Sequence, residues 1–136
     1  MYPEAIVNPM KAELTTFGFE ELLSSEDVDK AVKSDGTVLV VVNSVCGCAA
    51  GAARPGVKKS LENGKKPTKL TTVFAGFDVD AVNQARKHFA PYPPSSPSIA
   101  LFKNGELVHF VERHHIEGRN ANAISEHLKM VYDEFC

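Results

Sequence analysis

No charge of one sign accumulates in this sequence, no apolar run is long enough to cross a bilayer, and cysteine is scarce. The net charge is −2, with both signs mixed along the chain, which leaves no basic surface for nucleic acid or for an anionic membrane. A membrane-spanning helix needs about 20 consecutive apolar residues, and no segment here approaches that. The start, Met1-Tyr2-Pro3-Glu4, lacks a basic segment and an apolar core, so no signal peptide is expected and the expected location is the cytoplasm. Three cysteines in a reducing compartment do not make a disulfide framework; a close pair there reads as redox or metal chemistry. Repeats, low-complexity tracts and linkers are also missing. The 136 residues are therefore expected to form one domain, 1–136, with a real core.

What is present centres on Asn43-Ser44-Val45-Cys46-Gly47-Cys48-Ala49-Ala50-Gly51. The run Val38 to Val42 before it has no polar alternation, the mark of a central strand buried on both faces. A small-residue segment after it reads as helix, from Ala49 to Glu62, interrupted at Arg54-Pro55 where proline removes a backbone bond. Two thiols thus fall between the carboxyl end of a buried strand and the amino end of a helix. Ligands of open α/β sheets bind at that end of the strands, and helical N–H groups there favour a thiolate. Gly47 lets the backbone bend and a partner chain approach closely.

The rest of the chain supplies the frame. Residues 1–14 read as helical but interrupted: Asn8-Pro9 fits an N-cap followed by proline at the first helical position, with Met10 and Leu14 on one face. Phe17 to Leu22 is a weak candidate for an edge strand. Ser24 or Ser25 caps a helix over Glu26 to Lys33, with Val28, Ala31 and Val32 inward. Leu70 to Phe74 is the next strand, and Asp78 caps a helix carrying Val79, Val82, Ala85 and Phe89. Pro91-Tyr92-Pro93-Pro94-Ser95-Ser96-Pro97 is a rigid loop. Ile99 to Phe102 and Leu107 to Val111 flank Asn104-Gly105, which predicts a hairpin with a type I′ turn. A last helix starts near Asn120, with Ala121, Ile124, Leu128, Val131 and Phe135 at spacings of three and four. Alternating strands and helices imply an α/β fold with a mostly parallel sheet, to which the hairpin adds antiparallel strands.

The side chains around the thiols leave alternatives open. Cys46 and Cys48 could be redox thiols, or two ligands of a metal site completed by His114 and His115; no second paired ligand motif is visible, so no metal is expected. Asn43 and Ser44 could hydrogen-bond a thiolate or substrate, or satisfy strand-end backbone. Arg54 reads as a solvated arginine, or as a draw for an anionic thiol ligand. His114 and His115 read as loop residues, while His88, His109 and His127 carry no signal. Cys136 reads as a frayed terminal thiol. Cys46, at the mouth of the junction, is expected to be the nucleophile, and Cys48 to be more enclosed.

The order of elements, with a dithiol after a central strand and Pro97 just before the hairpin, resembles the thioredoxin fold. Val42 to Gly51, Ala53-Arg54-Pro55, Thr72 to Gly76, Tyr92 to Ser98, Glu112-Arg113-His114, Ile116-Glu117-Gly118 and Cys136 together resemble the bacilliredoxins. The resemblance implies a thioredoxin-like fold, a central mixed sheet flanked by helices, with an extra N-terminal helical segment. It implies a thiol–disulfide oxidoreductase that removes bacillithiol from S-bacillithiolated proteins. Carried over, Cys46 attacks and Cys48 is its partner; no cofactor is bound, and bacillithiol is the thiol co-substrate. A general disulfide reductase or isomerase, and a non-catalytic metal or redox module, are the alternatives. The Ser96–Pro97 bond is expected to be cis and close to Cys46, where a substrate peptide would pair as an added strand. The segment Met1 to Leu14, where the chain departs most from the pattern, is expected to bear on oligomer contacts more than on chemistry.

Overall fold

A computed structural model describes residues 1–136. Five strands form one mixed sheet in the order β1-β3-β2-β4-β5: β1 is Glu20–Glu21, β2 Thr37–Asn43, β3 Lys69–Phe74, β4 Ser98–Lys103 and β5 Glu106–Val111. β2 lies at the centre, parallel to β3 and antiparallel to β4. All of its side chains are buried, because both faces are covered. Val38, Val40 and Val42 join one apolar layer and Leu39 and Val41 the other, the two-residue period of a strand. Burying each such side chain contributes roughly 1.5–3 kcal/mol, so β2 anchors both halves of the core.

The helices divide between the two faces. α2 (Ser25–Val32) and α4 (Val79–His88) cover one face with Val28, Val32, Ala81 and Val82. α1 (Glu4–Thr15), α3 (Arg54–Ser60) and α5 (Ala121–Phe135) belong to the other, through Leu14, Val57, Ile124 and Leu128. Ser24 and Asn120 cap α2 and α5 by accepting from the N–H groups of Asp27 and Ala123, which satisfies donors that a helix start leaves free. Asp78 stands at the start of α4 without such a bond. Val79, expected inward, is 47% exposed, and Ala81 takes the buried position.

The N-terminal helix expected over residues 1–14 is present, but without the interruption at Asn8-Pro9: α1 runs from Glu4 through Pro9 to Thr15. Pro9 falls in its second turn, and Val7 and Leu14 are the buried positions. The interruption at Arg54-Pro55 takes the form of a π turn over Ala49–Ala53, in which the Arg54 N–H bonds to the Ala49 carbonyl five residues back. Pro55 then sits in the first turn of α3, where its missing N–H costs nothing.

The hairpin forms as expected. Asn104 and Gly105 both have positive φ, 51° and 85°, the requirement of a type I′ turn. A bulge near Leu101 and Phe102 interrupts the β4–β5 ladder. It aligns Leu107 and Phe110 with one apolar layer, while Val108 packs on the other. No helix is long and apolar enough to cross a membrane.

Candidate functional site around the paired thiols

Register alone brings four segments to one end of the sheet. β2 ends at Asn43, opposite Phe74 of β3. β4 runs the other way, so Ser98 lies beside Val42 and Pro97 falls next to the end of β2. Val111 pairs with Ile99, which delivers Glu112 and Arg113 to the same end. The cysteine turn, the proline loop and the Arg113 turn are thus neighbours in space though far apart in sequence.

Cys46 sits where the helical path begins: its carbonyl accepts from the N–H groups of Ala49 (3.1 Å) and Ala50 (3.2 Å). The Ser44 hydroxyl donates to Cys46 Sγ at 3.2 Å and accepts from the Cys46 N–H at 3.3 Å. Partial burial pushes the Cys46 thiol up. The Ser44 hydroxyl, the backbone N–H groups of Ala49 and Cys48 and the Arg113 charge outweigh it, so the pKa is lowered from its ordinary value. The regular helix that follows, α3, is short, and these local donors hold the thiolate. Cys48 is also half-buried and packs against the apolar layer of α3 and α5. Gly47 between them is exposed, and a Cβ there would meet nothing within 4 Å. Its φ is not positive, so no bend requires glycine, and what its small size leaves is an open approach to the thiols.

Two arginines frame this turn from opposite sides. Arg54, expected in solvent, is 1% exposed. Its Nη1 donates to Asn43 Oδ1 (3.0 Å) and to the Ser44 carbonyl (2.7 Å), and its Nε faces Glu13 Oε2 at 3.2 Å as an ion pair outside hydrogen-bond alignment. Asn43 also accepts from the Ser44 N–H and donates through Nδ2 to the Met10 carbonyl. Asn43 is therefore committed to holding the loop, with no surface left for substrate. Of the two readings of this pair, Ser44 alone takes the thiol-directed one. The N-terminal helix also supports the cysteine turn, through the Met10 carbonyl and Glu13.

Arg113, which sequence reasoning left without a role, lies on the outer side. Its Nη1 donates to the Ser96 carbonyl at 3.1 Å, its Nη2 stands 3.9 Å from Cys48 Sγ, and its Nε pairs with Glu117. It belongs to the Glu112-Arg113-His114 motif, but no local spacing tied that motif to the thiols. The Ser96–Pro97 bond is cis, and so is Ala90–Pro91. Pro97 is buried and Ser96 half-buried, and the Ser96 carbonyl accepts from Arg113.

His114 and His115 lie exposed in the short turn Arg113–His115. Glu112, His114 and His115 bring ligand atoms within 4.8 Å of one another, and neither thiol belongs to that group, which separates the imidazoles of the turn from a metal site on the cysteines. His88 bonds Asp29 at 2.7 Å, and His109 meets His127 at 2.8 Å between ring nitrogens. Cys136 is exposed at the end of α5.

Comparison with known proteins agrees with this picture. A family model described as disulphide isomerase matches residues 2–136. A bacilliredoxin of Cytophaga hutchinsonii is 66% identical over 134 residues, 98% of this chain and 99% of that protein. One from Halalkalibacterium halodurans is 52% identical over 136 residues, 99% of this chain and 94% of that protein. Among solved structures, oxidised mitochondrial thioredoxin 3 of Saccharomyces cerevisiae aligns with a TM-score of 0.61 at 13% identity, covering 90% of this chain and 98% of that one. The thioredoxin-like domain of Arabidopsis NCP aligns with a TM-score of 0.60 at 18% identity, covering 85% and 77%. The fold is thioredoxin-like.

Proposed function

The chain belongs to the bacilliredoxin family, and from that premise we propose that it removes bacillithiol from S-bacillithiolated proteins through a mixed disulfide on Cys46. A thiol–disulfide oxidoreductase role is common ground with its relatives; the small thiol and the order of attack are what the proposal adds. The observation that carries it is the setting of Cys46. Its sulfur accepts from the Ser44 hydroxyl, its pKa is lowered, and it stands beside exposed Gly47 where a bulky disulfide can reach it.

In the proposed reaction the Cys46 thiolate attacks the bacillithiol sulfur of the mixed disulfide. The substrate S–S bond breaks, a bond forms between Cys46 and bacillithiol, and the protein thiolate leaves and takes up a proton. A second thiolate then clears Cys46. Free bacillithiol does so by forming its own disulfide. Cys48 does so by closing a ring of about eleven atoms with Cys46, which departs from relaxed disulfide geometry and is readily reduced. Turnover through the small-thiol adduct is therefore favoured. Ser96, beside Arg113, offers backbone to an extended substrate peptide. No cofactor is required.

A second reading, disulfide isomerisation on misfolded proteins, is favoured by the description of the matching family model. The decisive experiment gives reduced protein an S-bacillithiolated substrate and, separately, a scrambled disulfide substrate. Release of the bacillithiolated protein's thiol with bacillithiol as the only reductant is expected. Reshuffling of the scrambled substrate without removal of bacillithiol would replace the first reading by the second.

A further inference from the structure

The bulge in β5 has a consequence on the far side of the Arg113 turn. Without it, Val108 and His109 would face opposite layers; with it, both lie toward α5, because a bulge sets two residues against one. His109 consequently meets His127 of α5, the two Nε2 atoms 2.8 Å apart. Around them opens a cavity of about 290 Å³, walled by His109, His115, Arg119 and His127 with Phe110 and Ile124 among its apolar residues. No cysteine and no carboxylate lines it.

We propose that this cavity is a binding site for a small organic anion, an apolar body bearing a carboxylate, held by Arg119 and the three imidazoles. The size falls near the lower end of small-molecule sites, roughly 300–1,000 Å³. The apolar wall and a few convergent polar groups are the composition of a ligand pocket, with His115, Arg119 and His127 on its exposed rim. The sign of charge decides between an anion and a metal ion. Arg119 is a permanent cation on the wall, and a metal bound to the two ring nitrogens would face it without an acid in the lining to offset it.

The histidine pair makes the site responsive to protons. Burial first, and for His109 the neighbouring His127, hold both rings below their ordinary pKa; His115 acts on both in the same sense, Arg119 on His127, and only Glu134 opposes this at His109. A carboxylate in the cavity would supply the negative charge that the pair lacks. Binding should then be accompanied by proton uptake and should strengthen as pH falls through the histidine range.

The test follows the histidine ring signals of the reduced protein by NMR during titration with sodium benzoate, against sodium chloride at equal ionic strength. Saturable shifts of His109 and His127 are expected, with a dissociation constant of about 1 mM or tighter. Affinity should be severalfold higher at about pH 6 than at about pH 8. The exposed substitution Arg119→Gln should weaken binding by about fivefold or more. The proposal is overturned by shifts that chloride reproduces, by no saturation, or by an affinity indifferent to Arg119→Gln. Zinc chloride is the rival probe: saturation of the same two rings by zinc, with none by benzoate, would make this a cation site.

Discussion

At the residue scale the question is which sulfur an incoming disulfide meets, and the contacts of the two differ. Cys46 Sγ accepts from the Ser44 hydroxyl at 3.2 Å, while Cys48 Sγ has only the distant Arg113 Nη2, at 3.9 Å, and leans on the apolar layer behind it. In the proposed reaction Cys46→Ser therefore lowers removal of the small thiol to background. Cys48→Ser keeps substantial activity and accumulates the adduct on Cys46; mass spectrometry of both variants after incubation with a mixed disulfide reads this directly. An adduct on Cys48 in an active Cys46→Ser protein would reverse the assignment. The lowered pKa gives a second test. The donors that lower it act on the thiolate, so the rate of iodoacetamide labelling at Cys46 should reach half its plateau below the pH of about 8.5 usual for a free thiol. Ser44→Ala and Arg113→Gln should each move that midpoint upward, by removing a hydrogen bond and a charge respectively. A midpoint unmoved in both variants would mean that backbone donors alone hold the thiolate. Cys46 and Ser44 were legible because they are sequence neighbours of the motif. Arg113 was not, since its position depends on the β4–β5 register, nor was Arg54, which the π turn carries under the loop.

At the element scale the cysteine turn is held by helices on one face of the sheet, and a close approach between two of them is testable. Gly56 of α3 lies against α5: a Cβ built there would come within 2.7 Å of Ile124 Cβ and 3.1 Å of the Ala121 carbonyl. These are branched side chain and backbone, which cannot swing aside as a long chain end would. Gly56→Ala should thus destabilise the protein despite the better helix propensity of alanine. The overpacking cost is typically about 1–3 kcal/mol, against up to roughly 1 kcal/mol gained from propensity. Urea denaturation followed by far-ultraviolet circular dichroism measures the balance, and an unchanged or higher midpoint would show that α3 and α5 can separate freely. Elements written by local pattern were readable in advance. The unbroken apolar run of β2, the Asn104-Gly105 turn and the Ser24 cap each follow from a few adjacent residues. Those set by distant packing were not: α1 runs through Pro9 while its Lys11 pairs with Glu21 and Asp78, and the β5 bulge answers to its partner strand. The support of the cysteine turn by α1 escaped for the same reason, since Met10 and Glu13 reach it only after folding.

At the scale of the whole molecule, both apolar layers share β2, so a charge placed at the edge of one layer bears on the stability of the entire fold. His109, half-buried, and His127, exposed on its outer side, lie at such an edge, between β5 and α5, and both are held below the ordinary histidine value of 6.5, by partial desolvation before any charge. The sign follows from proton counting. Below about 6.5 the unfolded chain takes up protons at these rings that the folded chain refuses, so the unfolded state is favoured as pH falls. The loss begins near the unfolded value and continues down to the lowered folded one. Asp29 behaves separately. Its carboxylate, bonded first by His88 and then by Gln84, is held below its ordinary value of 3.8, so the stability it supplies is present above that value and is lost only as pH falls through the lower folded one. Acid should therefore weaken the protein in two steps, of which the first, in the mildly acidic range, belongs to the His109–His127 pair. The melting temperature is expected to fall between about pH 7.5 and pH 5.5, and a His109→Gln, His127→Gln double variant should melt at a temperature nearly independent of pH across that interval. Benzoate, if it occupies the neighbouring cavity, should restore part of the loss at the acidic end in the parent protein and none in the double variant. A parent protein that becomes more stable on mild acidification would mean that the pair gains a proton on folding, opposite in sign to what its burial dictates.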